Sequence, residues 1–213
     1  MVMYVKKVGI LGGGVMGSGV ADIMALSDKE VVIKDVAEEI LQRSNIIIGK
    51  NLDELIQFQQ SRAEKEIKRI EQDDGATLTQ EQRQRICEKL KPAYDESTKN
   101  YVLSKIKTSM SWDDFKDVDL VIEAIIEDIG AKKEAFRMLD QVTPKHAILA
   151  SNTSSLSITE IASATNRRDK VIGLHFFNPP ITLPLVEIIP GLETSEEVIN
   201  DIIDFISTIR NHR

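Results

Sequence analysis

The chain has only three histidines, and one of them stands where it could handle a proton. His175 opens the stretch His175-Phe176-Phe177-Asn178-Pro179, directly after the apolar run Val171-Ile172-Gly173-Leu174. Glu187 follows twelve residues later, inside a second apolar run, Leu185-Val186-Glu187-Ile188-Ile189. An imidazole with one ring nitrogen held by a carboxylate can take or give a proton at the other near neutral pH. That separation suffices for a turn and a returning strand, which could bring the carboxylate to the ring. From spacing alone, a structural histidine with a surface glutamate is the simpler reading.

At the other end of the chain, Gly12-Gly13-Gly14-Val15-Met16-Gly17 satisfies G-x-G-x-x-G at Gly12, Gly14 and Gly17. The first glycine permits a tight turn, the second lets a pyrophosphate approach the backbone, and the third lets helix and strand pack closely. Phosphates would sit on the N–H groups at the helix N-terminus. Glycine turns are common, but this one follows an expected strand and opens an expected helix. It also meets Asp35 at the end of the next strand, near the roughly 20-residue separation expected for a ribose-binding acid. A carboxylate there accepts from ribose hydroxyls and repels a 2′-phosphate, which favours NAD over NADP; the turn alone leaves a flavin open. A third cluster, Ser151-Asn152-Thr153-Ser154-Ser155, follows another expected strand. Its hydroxyls could orient a substrate oxygen, or Ser155 or its neighbours could cap the next helix. A dinucleotide turn and a proton-handling pair together suggest a dehydrogenase.

The elements that must position these residues can be read from periodicity. Val5 to Leu11 is a buried first strand, Val15 to Leu26 a helix, and Val31-Val32-Ile33 a second strand: a βαβ unit. From Glu38 to Phe58 apolar residues follow a helical stripe, which charged residues continue to Glu71, with Glu64 and Lys68 placed as an i,i+4 pair. Asp73-Asp74-Gly75 breaks it, and Thr79 with Gln82 forms a capping box for a second helix ending before Pro92. Residues 37 to about 100 therefore form a helical excursion, a hairpin projecting from the sheet. Alternation then returns: strands at Asp119–Ile125, Ala147–Ser151, Val171–His175 and Leu185–Ile189, and helices at Ala131–Val142, Ile158–Ala164 and Ser195–Ile209. The expected class is α/β, a Rossmann-type doubly wound, mostly parallel sheet with a long helical hairpin inserted after the second strand.

Bulk properties narrow the function. With 213 residues the chain can bury one large core. A net charge of −7 argues against a nucleic-acid surface, which needs clustered Lys and Arg. No apolar run reaches membrane-spanning length, and Met1 to Leu11 lacks signal-peptide organisation. The single cysteine, Cys87, excludes an internal disulfide and fits a reducing compartment, so a cytoplasmic location is expected. His146 and His212 are isolated, so no metal site is expected, and no G-x-S-x-G elbow surrounds the serines.

These residues resemble the NAD-binding domain of the L-3-hydroxyacyl-CoA dehydrogenases. The blocks that carry the resemblance are Gly12 to Gly17 with Asp35, Val121-Ile122-Glu123-Ala124-Ile125-Ile126-Glu127, Ser151 to Leu156, Gly173 to Pro179, and Leu185-Val186-Glu187, in that order. The resemblance implies a catalytic dyad of His175 and Glu187, with His175 taking the 3-hydroxyl proton as hydride leaves C3 for NAD. It places Ser154 and Asn178 against the reacting oxygen or the nearby nicotinamide and thioester groups. Val15 and Met16 belong to its cofactor turn, and Glu127 and Lys132 lie on the nicotinamide ribose side. The implied substrates are acyl-CoA thioesters of fatty-acid breakdown. Lys65, Lys68 and Arg69 could contact CoA phosphates or form a solvated helix face. Members of the family continue into a helical domain that completes the pocket and forms the dimer interface, whereas this chain stops at Arg213. The expected division is residues 1–195 as the cofactor-binding domain and 196–213 as a terminal helix leading toward a helical domain. That domain is either a separate chain or lost by truncation. Expected partners are therefore an acyl-CoA and either a second copy or a helical-domain chain; a cofactor-binding module inactive without that partner is the alternative.

Overall fold

The computed structural model describes residues 4–73, 75–183 and 185–210. Asp74 of the expected helix break, His212 and the last residues of the 196–213 segment lie outside them. Seven strands make the sheet: β1 Lys7–Leu11, β2 Glu30–Lys34, β3 Ile106–Ser109, β4 Leu120–Glu123, β5 Ile148–Ser151, β6 Val171–Phe176 and β7 Val186–Pro190. Their spatial order is β3-β2-β1-β4-β5-β6-β7. The first six pair in parallel and β7 returns antiparallel to β6. The helices are α1 Val15–Leu26, α2 Glu38–Gln72, α3 Gln80–Lys89, α4 Glu96–Lys105, α5 Ile129–Val142, α6 Ile158–Ala162 and α7 Glu196–Arg210.

Parallel strands covered on both faces must be apolar on both, and the two-residue period sorts them. Val8, Ile10, Val31, Ile33, Leu120, Ile122, Ile172 and Leu174 face one core with α1, α2 and α7. Leu11, Val32, Val121, Leu149 and Val171 face the other, with Phe115, α5 and α6. Each fully buried aliphatic side chain contributes about 1.5–3 kcal/mol, so the alternation fixes strand register as well as stability. The apolar side of α7, from Val198 to Ile209, joins the first core.

The excursion after β2 differs in part from the sequence reading. α2 is a single 35-residue helix whose first half buries Leu41, Ile48, Leu52 and Ile56. Past Gln59 it buries nothing, and α3 buries nothing at all, so the two helices of this arm meet through surface pairs such as Glu71–Arg83 at 2.6 Å, while Glu64–Lys68 at 2.7 Å lies within α2. The Thr79–Gln82 capping box is present. A third helix, α4, capped by Asp95 with Thr98, carries the excursion on to Lys105 and delivers the chain into β3. Both were missed, because α4 lacks a wide apolar stripe and β3 is a four-residue, part-exposed edge strand. Among the described residues no helix is long and apolar enough to cross a membrane.

The strand order reverses between β2-β1 and β4-β5, which opens a crevice at the carboxyl ends of β1 and β4, where doubly wound sheets bind ligands. The glycine turn leaves β1 there, Glu123 ends β4, Ser151 ends β5, and His175 sits one residue before the end of β6.

Candidate active site

The glycine turn is shaped by sterics at two positions. Gly12 adopts φ +110°, a region that L side chains rarely occupy. A Cβ on Gly17 would lie 1.9 Å from the Gly12 carbonyl oxygen, so only glycine lets α1 rest on the turn. Gly14 is the N-cap of α1 and supplies no side-chain cap; a Cβ on it would meet nothing within 4 Å. The mouth of α1 is thus open on the side where an anion would approach, and its leading N–H groups have no capping side chain. Val15 is 58% exposed beside it, and Met16 lines the cleft described below. Asp35 is brought to the same place: its Oδ2 accepts from the Gly13 N–H at 2.7 Å and its Oδ1 from the Val36 N–H at 2.7 Å.

Antiparallel register places His175 directly opposite Glu187. His175 Nδ1 lies 2.8 Å from Glu187 Oε2. A carboxylate only accepts, so Nδ1 carries the proton and Nε2 is left as the basic nitrogen. The Phe177 ring leans on the imidazole, with centroids 4.5 Å apart. His175 opens on a cleft of about 300 Å³ that also takes in Met16, Glu127, Lys132, Asn152, Ser154 and Asn178. The expected site residues Met16, Glu127, Lys132, Ser154, His175 and Asn178 therefore share one cavity, with Glu187 behind the imidazole.

A buried polar network supports the floor of this cleft. Glu123, fully buried, accepts from Lys132 Nζ at 2.6 Å, from Ser151 Oγ at 2.6 Å and from the Ile125 N–H at 2.8 Å. Lys132, only 1% exposed, also lies 3.3 Å from Glu127 Oε2. Glu127 accepts from the Thr153 hydroxyl and from the Ser154 N–H at 3.1 Å. Asn152 Oδ1 accepts the Phe176 N–H at 2.8 Å, tying the end of β5 to β6 beside His175.

Comparison with known proteins decides the family. The family described as 3-hydroxyacyl-CoA dehydrogenase, NAD binding domain, matches residues 7–88 and 66–212. The chain belongs to this family. It is 37% identical over 211 residues to human mitochondrial hydroxyacyl-coenzyme A dehydrogenase, covering 99% of this chain and 58% of that protein. It is 34% identical over 203 residues to 3-hydroxybutyryl-CoA dehydrogenase of Clostridioides difficile, covering 95% and 60%. The crystal structure of FadB2 from M. tuberculosis superposes with a TM-score of 0.79 at 31% identity, covering 99% of this chain and 63% of that one. The chain thus spans about three-fifths of the length of these relatives.

As a 3-hydroxyacyl-CoA dehydrogenase NAD-binding domain, the chain offers residues that fit the dinucleotide. The uncapped helix mouth suits the pyrophosphate, and the Asp35 carboxylate is held at the same turn. Burial pushes the Glu127 carboxyl up, but the Thr153 hydroxyl, the Lys132 ammonium and the Ser154 N–H together hold it below the usual range. It therefore stays an anion beside the cleft.

The sequence assigns roles to Glu127 and Lys132 but none to Glu123 or Asn152, and the Thr153 hydroxyl, one of those that could orient a substrate oxygen, donates to Glu127 instead. A charged residue ending the otherwise apolar run Val121-Ile122 was the available signal, since a buried carboxylate demands a partner. The cap of α6 is Ser157, two residues beyond Ser155, and its hydroxyl accepts from Glu160 N–H at 3.2 Å. This leaves the Ser154 side chain exposed at the cleft.

Proposed function

We propose that the chain provides the cofactor-binding and proton-handling part of an NAD-dependent L-3-hydroxyacyl-CoA dehydrogenase. The observation that carries this reading is His175, fixed by Glu187 at 2.8 Å and opening on the cleft bordered by the glycine turn. NAD, when bound, supplies the hydride acceptor. His175 Nε2 takes the proton of the 3-hydroxyl as the hydride leaves C3, giving the 3-oxo thioester, and returns a proton in the reverse direction. Glu187 holds the ring and stabilises its protonated form. Ser154 and Asn178 donate to the reacting oxygen or its neighbours. Gly12, Gly14, Val15, Met16 and Gly17 receive the pyrophosphate, Asp35 takes the adenosine ribose and repels a 2′-phosphate, and Glu127 and Lys132 face the nicotinamide ribose.

The test is NADH oxidation by the purified chain with acetoacetyl-CoA, with NADPH and a His175→Ala variant as controls. The expected result is turnover with NADH, little with NADPH, and a fall of roughly 10²–10⁴-fold in the variant. Equal turnover in the variant refutes the assignment of the base.

A second reading is a cofactor-binding module that turns over only with a helical domain. Leu183, Leu185 and Ile189, apolar and exposed around Glu187, favour it. In this reading residues 1–195 bind the cofactor, the helix from 196 leads toward that domain, and a second copy or a separate chain covers those residues. Folded protein that binds NADH without turnover supports it. A cytoplasmic location belongs to the same proposal and rests on the exposed thiol of Cys87.

A further inference from the structure

Glycine inside a helix costs about 1 kcal/mol relative to alanine, so each one in α1 needs a reason. Gly17 is explained by the turn it rests on. Gly19 is buried two residues later and touches something else. A Cβ on it would lie 3.0 Å from Cγ and 3.1 Å from Cδ of Pro180, and 3.5 Å from its Cβ. Pro180 is itself buried, and it belongs to the loop that leaves the dyad strand. Beyond it, the Thr182 and Leu183 N–H groups both donate to the Pro179 carbonyl, at 3.1 and 3.0 Å, and Ile181 packs into the core. Before it, Asn178 lines the cleft and Phe177 leans on the His175 ring.

We propose that Gly19 is a positioning residue: its missing side chain lets the Pro180 ring seat on α1, and this seat sets where Phe177 and Asn178 stand over His175. The helix that carries the dinucleotide turn at its first residues thereby also carries the loop that shapes the substrate side. One rigid element fixes the spacing between cofactor turn and proton-handling group. A side chain at position 19 must displace the Pro180 ring, because it meets ring carbons closer than ordinary contact while Thr182, Leu183 and Ile181 hold the far side of the loop. The displacement passes to Asn178 and Phe177, the near side. The catalytic half of this inference rests on the dehydrogenase reading; the geometric half does not.

The experiment compares wild type, Gly19→Ala, Pro180→Ala and the double variant. Replacing Pro180 by alanine removes Cγ and Cδ and leaves only the ordinary 3.5 Å contact, so the double variant restores room. The first readout is the imidazole Cε1–H resonance of His175, assigned by loss in His175→Ala among the chain's three histidines. Phe177 displaces that resonance through its ring current. Gly19→Ala is expected to move it and the double variant to return it toward wild type. The second readout is kinetic: kcat with acetoacetyl-CoA falls roughly three- to tenfold in Gly19→Ala while NADH affinity holds, and recovers in the double variant. An unmoved resonance in Gly19→Ala overturns the proposal, as does a shift that the double variant fails to reverse. If Gly19→Ala does not fold, recovery of folding in the double variant supports the seat and its absence overturns it. Wild-type protein that binds NADH without turnover favours the module that needs a helical domain, and the resonance still decides the seat.

Discussion

Two buried ion pairs stand at opposite ends of α5 and use their hydrogen-bonding capacity differently. Arg167, just before β6, donates Nε to Asp140 Oδ1 at 2.8 Å, and its other nitrogens reach the carbonyls of Asp140, Thr143 and Pro144. Asp140 Oδ2 takes the Asn166 N–H at 2.8 Å and its amide at 2.9 Å. That cluster is closed: it staples the end of α5 to the lead-in of β6 and faces no cleft of the candidate site. Lys132–Glu123 is just as buried, yet Lys132 and its neighbour Glu127 border the cavity. A buried charge is therefore not a mark of function in itself. What distinguishes the site pair is that its network ends on the wall of the cleft onto which His175 opens.

Mutations can break or sharpen this contrast. Arg167→Met strands the Asp140 carboxylate and is expected to cost roughly 3–5 kcal/mol in urea unfolding, with NADH affinity of the folded protein unchanged. Asp140 also gives the staple a pH signature. Burial raises its carboxyl, but the Asn166 and Arg167 donors prevail and hold it below its ordinary 3.8. Its contribution is complete above 3.8 and lost as pH falls through the lower folded value, so the gap between wild type and Arg167→Met narrows in acid. At the other end of α5, Lys132→Met combined with Glu123→Gln removes both charges together. It is expected to cost less stability than either substitution alone and to weaken NADH about tenfold, the worth of one charge-assisted hydrogen bond. Equal NADH binding would place this pair with the staple.

Asp22 supplies the unpaired case. It is fully buried on α1, takes one hydrogen bond from Asn51 at 2.8 Å, and its Oδ1 has no hydrogen-bond partner among the described residues. Burial pushes its carboxyl well above 3.8 despite that bond, so folding is penalised increasingly as pH rises from 3.8 toward the folded value. Asp22→Asn is expected to stabilise the protein by roughly 1 kcal/mol near neutral pH, with the gain in Tm vanishing below pH 3.8. The smallest effect belongs to the solvated arm, where Lys68→Ala breaks the exposed Glu64 pair and should leave Tm unmoved.

Much of this was legible before any coordinates. Strands, their order of use and the glycine turn follow from periodicity and from Gly12, Gly14, Gly17 and Asp35. His175 and Glu187 were readable as a pair once a returning strand was assumed, because antiparallel register does the rest. What escaped was whatever depends on a third partner. Glu123 looked like part of an apolar strand, and its meeting with Lys132 and Ser151 is made by three separate elements. Gly19 and Pro180 are far apart in the chain, and neither type announces the other. β3 and α4 escaped because four part-exposed residues and a weak stripe carry little periodic signal.

The placement of Glu187 has a consequence for how activity fails. β7 is the last strand in the sheet order and pairs with β6 alone, whereas β6 is flanked on both sides. Edge strands open by local fluctuation long before a domain unfolds globally, and their amides exchange with solvent accordingly. The dyad is then only as durable as a five-residue hairpin strand. Under mild denaturant, proton transfer should fade while cofactor affinity, lodged between the central strands, persists.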